Sequence, residues 1–375
     1  MITRITSHLR PPEPAAAPFC AVYRECGGCP LIGLSSAEQR AKKTEQLMRT
    51  MHAQGVPCDA PAWVSDGRVW GYRNRLRLRF DQGRPVFFNA NKDPSCSVLR
   101  PELRELIPRV AEWAGPRQAA LSAFEHLEVR APDVDGLGAL AIYSSERVTR
   151  PRGTMGPLGL QSSSHLTESE PLEAPPGMLL AQPGHPVPMQ RFHWTVDIVN
   201  YVPVTSFMQV NSGVNDLLIR EIQELALSCG ARTALDLYSG TGNFSLALLA
   251  AGLNVTSVEM DGLAFAGYRR ALTERGEQLS GAVCDVSEAA NRLLDSGAAY
   301  DLVIANPPRA GLGKAAPRCA SLSRTHFVLC CCRAESFARD ARVLTQSGLQ
   351  LVRLMAFDMF PGTEHLEVLG FFSRS

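Results

Sequence analysis

The stretch "LDLYSGTGNFSLALL", residues 235–249, joins a short apolar run to a glycine turn and then to a helical run. Glycines at 240 and 242 let a backbone approach a ligand closely, and in open α/β sheets ligands sit at the carboxyl ends of the strands. Working outward, "VTSVEMD" (255–261) is the next strand and ends in Glu259. A helix follows over about 262–275, then "GAVCD" (281–285), another helix and "YDLVIANPP" (300–308). Strand and helix alternate, which predicts an α/β fold with a doubly wound, mainly parallel sheet covered on both faces. A lone glycine turn is weak, since an ordinary strand–helix turn can use one. Glu259 after the second strand, Asp285 after the third and Asn306-Pro307-Pro308 after the fourth make it stronger. An acid at the end of the second strand can accept hydrogen bonds from two ribose hydroxyls. The set suits S-adenosylmethionine better than a nicotinamide dinucleotide, because residue 245 is Ser where the full G-x-G-x-x-G would have Gly.

The 375-residue chain is long enough for two or three domains of about 150 residues. Apolar residues at 45% against 20% charged predict a globular protein, and a net charge of +1 leaves room for a basic face. No run of about 18 apolar residues predicts a membrane span. The opening residues lack the apolar run of a secretory signal, so a cytoplasmic location is expected. In such a compartment eleven cysteines point to metal binding or catalysis more than to disulfides.

Residues 1–18 read as a flexible tail, and 19–65 as a cysteine region followed by a helix over "SSAEQRAKKTEQLMRTMHAQG" with Ser35 or Ser36 as its cap. Residues 66–200 read as a β-rich central region with a loop-rich segment at 150–190, and 201–375 as the methyltransferase-like domain. Within the central region, "YRNRLRLRF" alternates. Arg73, Arg75, Arg77 and Arg79 would share one strand face, where four cations invite phosphate contact or simply meet solvent.

Several motifs together resemble the RNA 5-methyluridine (uracil-C5) methyltransferase family. They are "FMQVN" (207–211), "LDLYSGTGNF" (235–244), "ANPPRAGLGK" (305–314), "CCRAESFARD" (331–340) and "DMFPGTEHLEV" (358–368). The N-terminal C-x5-C-G-G-C and "CSVLRPEL" (96–103) extend the likeness, most closely toward the short iron–sulfur enzymes that modify 23S rRNA. The resemblance implies an S-adenosylmethionine-dependent enzyme acting on RNA, most readily ribosomal. Transfer RNA is one rival substrate, and a catalytically lapsed RNA-binding protein another reading.

Uracil C5 is a weak nucleophile until a thiolate adds to C6, and a base must later remove the C5 proton. The resemblance puts the nucleophile at Cys332 and the base at Glu367, with Asp358 and His365 able to orient the site. Cys330 and Cys331 read as packing residues. The family usually reads Ser-Cys-Asn-Pro where this chain has Cys331-Cys332-Arg333-Ala334. Arg333 could therefore lower the thiol pKa or touch RNA. For the cofactor the resemblance implies Gln209, Tyr238, Glu259 and Asn306, with Asn243 and Asp285 alongside. Cys20, Cys26, Cys29 and Cys96 could hold Zn or an iron–sulfur cluster by spacing. The resemblance tips the choice to [4Fe–4S] in a structural role.

Overall fold

A computed structural model describes residues 20, 23–87, 96–144, 171–195 and 198–374. The expected tail therefore lies outside the described residues, as does much of the expected loop at 150–190.

Along the chain come a short helix Tyr23–Cys26, a long helix Ser36–Ala53 and strand β1 (Ala62–Val64). Ser35 caps the long helix in a full capping box, accepting from the Glu38 N–H while the Glu38 carboxylate accepts from the Ser35 N–H. Gln39, Lys43, Leu47 and Met51 recur every four residues and form its buried stripe. The central region carries β2 (Arg75–Asp81), β3 (Arg84–Phe87), β4 (Phe124–Arg130), β5 (Gly138–Ser144) and β6 (Met178–Ala181), in the order β3-β2-β4-β5-β6. Helix Pro101–Ala114 covers one face through Leu103, Leu106, Val110 and Trp113, against Leu76, Leu78, Leu127, Val129 and Leu140. A hairpin of β7 (Met189–Thr195) and β8 (Ile198–Pro203) leads onward. The segment read as loop-rich thus holds β6 and the start of β7. Only β6, four residues long, lies wholly within it, and it is too short to show a period.

The C-terminal half supplies β9 (Thr233–Leu237), β10 (Asn254–Glu259), β11 (Gly281–Val283), β12 (Tyr300–Ala305), β13 (Ser323–Cys331), β14 (Leu349–Phe357) and β15 (Glu367–Arg374). The eight-stranded sheet runs β1-β14-β15-β13-β12-β9-β10-β11. Only β15 is antiparallel to its neighbours. Chain order reverses between β9 and β12, so the loops leaving these two strands part and open a crevice. Alternate residues feed the two faces: Phe327, Leu329 and Cys331 enter one core, Val328 and Cys330 the other.

The 65/66 boundary marks where the chain leaves the large sheet for the central one, but the region expected over 19–65 does not stand apart from that expected over 201–375. β1 pairs with β14 in the large sheet, and Leu47, Met51 and Val56 share a core with Leu235, Val303 and Phe337. Residues from both ends of the chain therefore build one layer.

Candidate active site

The glycine turn leaves β9 with Tyr238 at φ 62°, a left-handed conformation that costs a non-glycine residue about 1 kcal/mol or more. Gly240 follows at φ 58°, where a Cβ would meet only open space, so the turn's backbone is bare on that side. At Gly242, φ 86°, a Cβ would strike the Tyr268 ring. The Glu259 carboxylate is held from both sides. Gly240 N–H donates to Oε2 at 2.9 Å and Asp261 N–H donates to Oε1 at 2.7 Å. A fixed acid beside an open glycine turn fits the ribose and backbone of an adenosyl cofactor.

Asp236, fully buried within β9, accepts from the Ser245 N–H at 3.1 Å and from its hydroxyl. Burial pushes its carboxyl up to about 7. It ties the start of helix Ser245–Ala250 to the strand across the turn. Asn243 exchanges two 3.0 Å amide hydrogen bonds with Asn215 on helix Ser212–Ser228. Gln209 lies two residues before that helix's cap, Asn211, and its carbonyl accepts from Asn74 at 2.9 Å. Asp285 caps helix Val286–Asp295, accepting from Ser287 N–H at 2.8 Å. Asn306 begins the loop after β12, its N–H 3.4 Å from the Leu237 carbonyl. The residues expected at the cofactor thus border one edge of the sheet. Asp236 and Asn215 were not foreseen as part of it. A carboxylate inside an apolar strand was the signal for Asp236.

The thiol and the carboxylate meet through strand register. β13 and β15 pair antiparallel, with Cys330 opposite Leu369 and Cys331 opposite Val368. One more step places Cys332, just past the end of β13, across from Glu367, the first residue of β15. Glu367 is 2% exposed, and its Oε1 is buried without a hydrogen-bond partner. Burial alone pushes its carboxyl up to about 8. Burial and the Glu367 charge push the half-buried Cys332 thiol up, while the Arg309 guanidinium, hydrogen-bonded to it, pulls it down. Cys330 and Cys331 are buried, and burial holds both thiols well above the ordinary range.

Arg309, rather than Arg333, is therefore the cation that acts on the thiol. Arg333 is exposed and sits 4.0 Å from Glu335. Arg309 stands on a loop pinned by Asp340, which accepts from Leu312 N–H at 2.6 Å and Gly313 N–H at 3.3 Å. Arg339 adds a bond to the Ala310 carbonyl at 2.5 Å. Burial and three cations (Arg309, Lys43, Arg333) pull the His365 pKa down. Asp358 accepts from the buried Lys43 ammonium at 2.8 Å. The latter contact fastens helix Ser36–Ala53 to the loop that leads into Glu367.

The arginine row only partly keeps its expected form. β2 begins at Arg75, and Arg73 lies outside it, bridged to Leu99 and Asn211. Arg75 and Arg77 each sit 3.6 Å from the buried Glu128, which also binds Arg130 at 3.1 Å. Arg77 and Arg79 remain exposed. Of the cysteines expected to bind metal, Cys29 and Cys96 both act electrostatically on Tyr72. The Cys29 Cβ approaches Gly362. Among the described residues no three His, Cys, Asp or Glu side chains converge closely enough to hold a metal ion. The four thiols therefore do not close a cage in this structure.

A sheet that reverses strand order at a glycine turn, with an acid closing the next strand, is the build of a class I, Rossmann-like S-adenosylmethionine-dependent methyltransferase. The family model for tRNA (uracil-5-)-methyltransferase matches residues 196–375. A Klebsiella pneumoniae protein, 23S rRNA (uracil(1939)-C(5))-methyltransferase RlmD, is 30% identical over 381 residues, covering 96% of this chain and 82% of the relative. The chain belongs to the RNA 5-methyluridine (uracil-C5) methyltransferase family. A Vibrio campbellii protein of the same name is 27% identical over 392 residues, covering 98% of this chain and 84% of its own. Pyrococcus abyssi tRNA (uracil-54, C5)-methyltransferase, solved with S-adenosyl-L-homocysteine, shares the fold. Its TM-score is 0.69 over 93% of this chain and 86% of that one, at 21% identity.

Proposed function

We propose that the protein methylates C5 of a uridine in 23S rRNA, using S-adenosylmethionine, with Cys332 as nucleophile and Glu367 as base. The observation that carries this reading is the register that sets Cys332 across from a buried, raised-pKa carboxylate. In the proposed reaction the Cys332 thiolate adds to C6 and electron density moves to C5. Arg309 supports the thiolate through its charge and hydrogen bond. S-adenosylmethionine, when bound, supplies an electrophilic methyl group. Gln209, Tyr238, Asn243, Glu259, Asp285 and Asn306 are the residues proposed to hold it. Glu367 then removes the C5 proton and the C6–S bond breaks, returning the thiolate. Seclusion suits Glu367 to this step, because a base with a pKa near the working pH is the most effective.

Ribosomal RNA is favoured over transfer RNA by the near full-length relatives named for 23S rRNA. The test is mass spectrometry of nucleosides after incubating 23S rRNA or tRNA with labelled S-adenosylmethionine. Label in 5-methyluridine from 23S rRNA only, absent with Cys332→Ala, is the expected result. Label confined to tRNA would move the substrate. Label persisting with Cys332→Ala would overturn the nucleophile.

The four cysteines Cys20, Cys26, Cys29 and Cys96 are proposed, from the family likeness, to hold a [4Fe–4S] cluster. Closing the cage would require the thiols to draw together. Iron and sulfide in anaerobically purified protein, lost with Cys29→Ser, would support this, and bound zinc alone would replace it.

A further inference from the structure

We propose a second nucleobase subsite on the central sheet, taking a nucleotide that flanks the modified uridine. It rests on the RNA reading above. A cleft of about 350 Å³ opens beside the ends of β5 and β6, lined among others by Tyr143, Ala181, Gln182, His185 and Thr205. That volume falls within the roughly 300–1,000 Å³ typical of small-molecule sites. Its walls are largely apolar with a few polar groups, which suits a flat heteroaromatic ring.

Strand register explains why a nucleotide fits. Arg79 on β2 lies opposite His126 on β4, and His126 opposite Tyr143 on β5. These three residues form one row across the same face of the sheet. At its start Arg79 is an exposed cation. In its middle the His126 and Tyr143 rings stack at 4.6 Å with 12° between planes. At its end Tyr143 forms part of the cleft wall. The next row runs Arg77, Glu128, Ala141 and Ala181, so a second exposed cation flanks the aromatic pair and the last alanine lines the cleft. A phosphate on the arginines and a base against Tyr143 is how single-stranded RNA is held without base pairing.

The same face leads to the cofactor edge. Arg75 stands 5.0 Å over the ring of Phe207, which is 65% exposed and two residues from Gln209. Buried Arg130, opposite Arg75, donates to the carbonyls of Pro203 and Ser206, pinning the segment between β8 and Phe207 against this face of the sheet. Thr205 is thereby turned to the cleft. One RNA strand could pass from the methylation site over Arg75 and Arg77 to the cleft.

The test uses the full chain and an rRNA stem-loop carrying 2-aminopurine at one flanking position at a time. With wild-type protein one position is expected to be quenched by stacking. Tyr143→Leu should abolish that quenching and raise KM for RNA about tenfold with kcat within about twofold, the scale of losing one base–aromatic stack. Tyr143→Phe, which keeps the ring, should restore both readouts. Full methylation by wild type, with Tyr143→Leu unchanged in KM and in quenching at every position, would overturn the subsite and leave the RNA reading intact. Neither methylation nor quenching with wild type would overturn both. A kcat loss shared by Tyr143→Leu and Tyr143→Phe, with quenching retained, would overturn the subsite in favour of a packing role.

Discussion

Glu367 carries a large consequence of burial at a single residue. Its carboxyl moves from 4.5 to about 8 on folding. Between those values the folded protein keeps a proton that the unfolded chain has released. Stability from this group is thus fully present below about pH 4.5 and is lost as pH rises through 8. Under the proposed mechanism, proton removal runs the opposite way, because only the ionised form is a base. Single-turnover release of the C5 proton and of free methylated RNA should rise with pH and level off above about 8. Glu367→Gln removes both the base and the charge that raises the Cys332 thiol. Attack should survive while proton removal fails, so a covalent RNA adduct should accumulate on denaturing gels. Arg309→Met removes the group that lowers the thiol pKa, and should shift the pH dependence of adduct formation upward.

Among the elements, the loop carrying Arg309 depends on one buried carboxylate. Asp340 takes two of its backbone N–H groups, those of Leu312 and Gly313, and Gly311 just before them, at φ 76°, leaves no room for a Cβ beside that carboxylate. Asp340→Ala should cost about 1–3 kcal/mol in urea unfolding, the scale of leaving buried donors unmet. Because Arg309 would lose its support, kcat should fall by more than stability accounts for, and KM should change less. Much at this scale was legible beforehand. The helix start at Ser35 or Ser36 and the glycine turn both follow from short-range spacing, and the structure settles the cap on Ser35. The start of β2 at Arg75 was not, because alternation continues through Arg73 and only its bridges to Leu99 and Asn211 show that it has left the strand.

Across the whole molecule, the two ends of the chain are tied by Lys43 and Asp358, a buried pair 315 residues apart in sequence. Gly362 N–H donates to Gln39 Oε1 at 2.8 Å and the Tyr72 hydroxyl to the Pro361 carbonyl at 3.2 Å, reinforcing the same junction. Lys43→Met should destabilise the fold by about 3–5 kcal/mol, since it strands a buried carboxylate. Lys43→Met with Asp358→Leu should recover part of that loss, measured by urea midpoints. By itself the sequence determined the alternation of strands and helices over 235–308, the glycine turn with its acid, and the residue types the chemistry requires. Each rests on neighbours within a few positions. Tertiary structure alone decided that Cys332 faces Glu367, that Arg309 rather than Arg333 serves the thiol, and that Glu128 holds half of the arginine row. Those outcomes depend on strand register and on loss of water, which are set by residues tens of positions apart in sequence.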